Sequence, residues 1–250
     1  MTRHAVVVGS PGTLEKPAEF LSRRGWRIER PAVIRAVPVP LGHPPDWLLR
    51  RPGPDVWVVT SRAVITAFWA SHPPWRPPLR RIPEIWAVGP GTARALRGLG
   101  LKVHVAHGRG GQRGLLGSLP SLRGRRVVYL RSDLAGTDLA RELRKRGARV
   151  RDRVVYRVIT RPRLSAAERR AVLGADLWLV ASPSALRAFR RALGPATFRK
   201  EARRVRAFAL GTRTVREARR AGLGRVRVPA RSTEEAFTKL VAKWWGDAPV

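Results

Sequence analysis

Asp55-Val56-Trp57-Val58-Val59-Thr60-Ser61 and Asp176-Leu177-Trp178-Leu179-Val180-Ala181-Ser182 read as one element written twice. Each is a short, continuous apolar run ending in serine, the pattern of a strand buried on both faces of a parallel sheet and followed by a turn. A helical pattern comes after each, over Ala63–Trp69 and over Ala185–Leu193. Working outward, Ala87-Val88-Gly89-Pro90-Gly91-Thr92-Ala93-Arg94 matches Ala209-Leu210-Gly211-Thr212-Arg213-Thr214-Val215-Arg216, and the match runs on to Gly100-Leu101 and Gly222-Leu223. Each copy reads as strand, glycine turn, helix and a glycine suited to a helix C-terminus, with a further strand at Val103–Ala106 or Val226–Pro229.

A weaker pair joins Ala5–Ile28 to Val127–Val150. Both start with a strand, Val6-Val7-Val8 or Val127-Val128-Tyr129-Leu130. Both continue through a turn holding Gly12-Thr13 or Gly136-Thr137, and Leu139 and Leu143 stand four apart on one helical face. The order along the chain is A, B, A′, B′. Alternating strands and helices predict an α/β protein of doubly wound parallel sheets, and the repeat divides it into two domains of about 115 residues. Val33–Pro40 and Val154–Thr160 occupy the same place in the two halves, are extended and β-prone, and could pair as linker strands. The expected partition is a discontinuous domain of 1–34 and 160–250, a continuous domain of 40–152, and linkers at 33–40 and 153–160. The proline-rich stretches Pro38–Pro54 and His72–Pro83 are expected loops. Ser232-Thr233-Glu234-Glu235 has capping-box spacing ahead of a helix ending at Trp245, where Trp244-Trp245 is expected to pack its own core.

Of 51 basic residues six are lysine and 45 arginine, against 17 acidic ones, for a formal charge of +34. Such a balance suits a polyanion: nucleic acid, or a small polycarboxylate. A nucleic-acid stripe should cluster, whereas arginine runs from Arg3 to Arg231, which disfavours nucleic acid. Without cysteine there is no disulfide, thiolate metal site or cysteine nucleophile. The apolar runs are too short to span a bilayer and no signal peptide is visible, so a cytoplasmic protein is expected. His104 and His107 lack neighbouring ligands for a metal. Gly108-Arg109-Gly110-Gly111 lacks the ending of a phosphate loop and reads as a linker, and neither a nucleophile elbow nor a dinucleotide fingerprint is present.

What recurs is a set of strand-to-helix turns rich in glycine and hydroxyls: Gly9-Ser10-Pro11-Gly12, Thr60-Ser61-Arg62, Gly89-Pro90-Gly91-Thr92, Ser132–Thr137, Ser182-Pro183-Ser184 and Gly211-Thr212-Arg213-Thr214. In open α/β sheets such turns lie at the carboxyl ends of strands, where ligands bind. They offer free N–H groups, hydroxyls and helix N-termini to an anion. One such turn is ordinary helix capping; six in two repeated sets point to a large multi-anionic ligand.

The ordered stretches Ala87–Val103, Val127–Val158, Trp178–Phe189 and Phe208–Pro229 resemble the uroporphyrinogen-III synthase family. The Ser-Pro-Ser turn, the two Gly-x-x-Thr turns and Val154-Val155-Tyr156-Arg157 come in the family's order. Two departures stand out: the turn Thr60–Val64 is one residue shorter than usual, and Gly9-Ser10 replaces an arginine turn. The resemblance implies two flavodoxin-like domains joined by a two-stranded β linker. It implies ring closure of hydroxymethylbilane, a linear tetrapyrrole with eight carboxylates, with loss of water, inversion of the last pyrrole ring and no cofactor. Hand-over from the enzyme that makes this substrate, a monomer, and no membrane partner are expected. Tyr156 is implied as the acid for the departing hydroxyl. The turns, with Arg131 just ahead of one of them, then supply the expected substrate-binding set: Ser61, Arg62, Gly89, Gly91, Thr92, Arg131, Ser132, Thr137, Ser182, Ser184, Gly211, Thr212 and Thr214. A basic nucleic-acid-binding module and a non-catalytic two-domain ligand sensor remain alternatives.

Overall fold

A computed structural model describes residues 2–40, 53–70, 84–106 and 111–245. The expected loop His72–Pro83, most of Pro38–Pro54, His107 and Gly108–Gly110 lie outside the described residues. The chain divides into two compact units, Met1–Arg35 with Ile159–Val250, and Ala36–Val158.

In the first unit β1 (His4–Val8), β2 (Arg27–Glu29), β9 (Leu177–Val180), β10 (Arg206–Ala209) and β11 (Val226–Arg227) form a five-stranded sheet. Its order is β11-β10-β9-β1-β2, and every pairing is parallel. Strand side chains alternate between faces, and here both faces are covered, hence the unbroken apolar runs. On one face Ala5, Val7, Leu177, Leu179 and Phe208 pack with helices α1 (Glu15–Ser22) and α10 (Glu234–Trp245). On the other, Trp178 meets Phe189 of α7 (Pro183–Leu193) edge-on at 5.2 Å and Phe198 of α8 (Pro195–Arg204) at 5.1 Å. α6 (Ala166–Val172) carries a full capping box between Ser165 and Glu168 that the sequence reading missed, and α9 (Thr212–Arg220) follows β10.

In the second unit a six-stranded sheet has the order β3-β8-β7-β4-β5-β6, from β3 (Ile34–Pro38), β4 (Val56–Val59), β5 (Ile85–Ala87), β6 (Val103–Val105), β7 (Arg126–Ser132) and β8 (Arg149–Thr160). β8, β7, β4, β5 and β6 pair in parallel. The bonds Val39 N–H to Val155 O and Arg161 N–H to Val33 O make β3 antiparallel to β8. β8 runs unbroken for 12 residues, so the expected linker strand Val154–Thr160 is the second half of a longer strand that starts at Arg149. One face of this sheet, including Trp57, Val59, Leu130, Val155 and Tyr156, packs with Val64, Phe68, Ala93 and Leu96. Val56, Val58, Val127 and Tyr129 line the other, with Leu115, Leu139 and Leu143. The helices are α2 (Ile65–Ala70, π-helical rather than α-helical), α3 (Pro90–Arg97), α4 (Gln112–Ser118) and α5 (Asp138–Lys145).

Two local expectations change. The cap of α10 is Thr233, whose Oγ1 accepts from Ala236 N–H at 3.2 Å, not Ser232. Of the terminal tryptophans only Trp245 enters the core, edge-on to Trp26 at 5.5 Å. Trp244 is exposed beneath the Arg227 guanidinium.

Candidate functional site

Parallel pairing puts the carboxyl ends of neighbouring strands at one edge of each sheet, so turns far apart in sequence become neighbours. In the first unit the β9–α7 and β10–α9 turns meet across a cleft of about 400 Å³, lined by Ser184, Arg187, Gly211, Arg213, Thr214 and Ser232. Ser182 caps α7 by accepting from Ala185 N–H at 3.1 Å, and its Oγ lies 3.1 Å from that of Ser184. Gly211 caps α9; a Cβ there would sit 2.9 Å from Ser232 Oγ, so glycine lets the two segments approach. Thr214 is buried and Thr212 exposed. Arg187 pairs with Glu217 at 3.0 Å, whereas Arg213 has no ion-pair partner among the described residues. Of these lining residues Arg187 escaped the sequence reading, whereas Arg213 lies in the Gly211–Thr214 turn it singled out and Ser232 was expected only as a helix cap. Arg187 stands one helical turn beyond Ser184, a spacing that could have flagged it. Ser10 precedes α1 on the same sheet, where Thr13 Oγ1 donates to Ser10 O at 2.6 Å.

In the second unit Ser61 accepts from Ala63 N–H at 3.2 Å and holds a tight turn after β4. Arg62 reaches the β5–α3 turn, since a Cβ on Gly91 would touch its Cδ at 3.8 Å. Gly89 caps α3 in extended backbone, and Thr92 is buried one turn in. Ser132 is buried and accepts from Ala135 N–H at 3.1 Å, while Thr137 is the exposed first residue before α5.

Arg131 turns inward. Its side chain is 13% exposed, its Nε donates to Asp152 at 3.1 Å, and its Nη1 donates to the carbonyls of Ser132 and Ala135 at 3.2 and 2.7 Å. Arg144 holds the other Asp152 oxygen at 2.9 Å. Burial alone would push the Asp152 carboxyl up; the bonds from Arg144 and Arg131 outweigh it and hold the group below the usual carboxylate range. Tyr156 sits on β8 with its ring buried. Tyr129 is fully buried, its hydroxyl lacks a partner of normal hydrogen-bond geometry with Thr60 nearby, and burial pushes its ionisation up. His104 stacks on Trp86 at 4.8 Å.

Among the described residues no group of three or more His, Asp or Glu could hold a metal ion, and no helix is long and apolar enough to cross a membrane.

These features define an α/β protein of two units built on parallel-dominated sheets, with glycine- and hydroxyl-bearing turns following their strands. The family model described as uroporphyrinogen-III synthase HemD matches residues 15–239, and the chain belongs to that family of cyclising lyases of tetrapyrrole biosynthesis. Two solved structures share the fold. A mutant uroporphyrinogen III synthase from Thermus thermophilus is 22% identical, with TM-score 0.61, over 97% of this chain and 100% of that one. Uroporphyrinogen-III synthetase from Helicobacter pylori is 17% identical, with TM-score 0.62, over the same shares. No curated protein sequence matches the chain significantly.

Proposed function

We propose that this chain closes hydroxymethylbilane to uroporphyrinogen III through the residues at the carboxyl edges of its two sheets. The family match over residues 15–239 carries this reading. The substrate's hydroxyl leaves as water, giving a resonance-stabilised azafulvene cation. The substituted carbon of the last ring must then attack, since unguided closure gives the unrotated isomer. The larger part of the task is therefore positioning. Ser182, Ser184, Gly211, Thr212 and Thr214 in one unit hold substrate carboxylates through hydroxyls and backbone N–H groups. Ser61, Arg62, Gly89, Gly91, Thr92, Ser132 and Thr137 do so in the other, with Arg131 shaping the turn that contains Ser132. Helix N-termini favour the same charge. A single acid suffices for the leaving hydroxyl, and Tyr156 has that role. The chain works as a cytoplasmic monomer and receives its substrate directly from the enzyme that makes it, because a substrate that cyclises unaided rewards a short transfer. The test is incubation with enzymatically generated hydroxymethylbilane and isomer analysis of the oxidised product. Type III porphyrin is expected, and predominantly type I would overturn the reading.

A further inference from the structure

We infer that Asp133, braced by the Arg131–Asp152 pair, is the positioning residue that aims Tyr156 in the site; the inference rests on the reading of Tyr156 as the proton donor. The parallel register of β7 and β8 is regular from Arg126 opposite Arg149 to Arg131 opposite Val154. It then slips, and Ser132 stands opposite Tyr156, leaving Val155 as an extra residue. Consecutive strand residues should face opposite sides of a sheet. Here Val155 and Tyr156 both enter the core that holds Trp57 and Phe68. A bulge is the device that re-aims a side chain in this way.

Asp133 closes the bulge from the facing strand end. Its N–H donates to Tyr156 O at 3.1 Å. Its Oδ1 accepts from Val158 N–H at 3.0 Å, and from Leu134 N–H at 2.9 Å. The carboxylate thus takes over, two residues past Tyr156, a backbone donor that the slipped ladder would otherwise leave to solvent. Arg131 fixes the same turn from inside, tying the Ser132 and Ala135 carbonyls to Asp152. Without the clamp, β8 can relax toward regular alternation, which turns Tyr156 toward the opposite face.

Asp133→Ala is expected to lower kcat for hydroxymethylbilane about tenfold with KM unchanged, less than the loss for an ångström-scale misplacement. Asp133→Asn keeps the Oδ1 acceptor and should restore turnover. In a Tyr156→Phe background Asp133→Ala should cost nothing further, because the two act through one proton donor. The chain has two tyrosines, so protein labelled with 13C at tyrosine Cζ gives a readout besides activity. Asp133→Ala should move the Tyr156 resonance and leave that of Tyr129 in place. Additive losses, failure of asparagine to rescue, or an unmoved Tyr156 resonance would overturn the inference. If Tyr156→Phe slows turnover and Asp133→Ala does not, only the positioning role falls. If Tyr156→Phe leaves kcat intact, the proton-donor reading falls and takes the positioning role with it.

Discussion

Replacing Asp152 with alanine removes one partner from a pair that is largely withdrawn from water. Arg131 and Asp152 keep side-chain exposures of only 13% and 19%. Breaking a fully buried ion pair by deleting one member costs about 3–5 kcal/mol, because the remaining charge stays buried without compensation. Arg131 retains the Ser132 and Ala135 carbonyls, which places the expected loss at the lower end, about 3 kcal/mol. That corresponds to a fall of roughly 10 °C in the unfolding midpoint of a unit this size. The comparison is Arg141→Ala, which deletes an exposed pair with Asp138 whose members are 64% and 84% exposed. Pairs of that kind are worth about 0–0.5 kcal/mol. Urea unfolding at neutral pH measures both. The sign with pH is fixed too: the Asp152 carboxyl is held below its usual 3.8 in the folded chain, so its contribution is present above that value and lost as pH falls through the folded one. The gap between parent and Asp152→Ala should therefore narrow in acid. Equal, small losses in the two variants, or a gap that ignores pH, would refute the view of Asp152 as the buried counter-charge of Arg131.

Tyr156→Phe should slow turnover on the order of 10²-fold with substrate affinity nearly intact, the loss expected for one general acid; steady-state kinetics with fresh hydroxymethylbilane decide it. Ser182→Ala and Thr214→Val should instead raise KM and increase the share of type I isomer in the product, since a uniform binding contact and a transition-state contact enter the rate constants differently. Gly9→Ala should destabilise by about 1–3 kcal/mol through overpacking: the added Cβ would lie 2.2 Å from Thr13 Oγ1 and 3.1 Å from the Ala181 Cβ. A denaturation midpoint equal to the parent's would contradict that. In acid the first unit should weaken in two stages. Burial, with Arg27 beside it, lowers the His4 value from 6.5, so a neutral imidazole is favoured on folding and stability falls once pH drops below 6.5. Hydrogen bonds from Arg161 hold Glu168 at about 2, so its contribution is present above 4.5 and lost between 4.5 and about 2. His4→Gln should remove the first stage and Arg161→Ala the second.

Several elements are legible in the amino-acid sequence alone. The strands holding Trp57 and Trp178 are unbroken apolar runs because both faces of each sheet are covered, and a run of that kind needs no partner to be recognised. The glycine and hydroxyl turns after them are equally local, and Ser182 and Ser61 make the short bonds to following N–H groups that such turns favour. The family resemblance draws on those same stretches. Less legible is β8, whose alternating Arg149, Arg151 and Arg153 conceal that it continues into the apolar Val154–Val155 segment. The cap of α10 is displaced by one residue from its expected place, because Ser232 and Thr233 carry the same chemistry and only backbone geometry distinguishes them.

The amino-acid sequence by itself determined the alternation of strand and helix, the twofold repeat and the chemistry of the turns, since these depend on residues within a few positions of one another. Tertiary structure alone decided which partner each group meets. Arg131 reads as a binding residue in sequence, yet its guanidinium faces Asp152, 21 positions away, across two paired strands. The slip that brings Tyr156 opposite Ser132 is likewise a property of β7 and β8 together. Register is set by interstrand hydrogen bonds and by what lies beneath the sheet, and a shift of one residue turns a side chain to the other face without altering any local pattern.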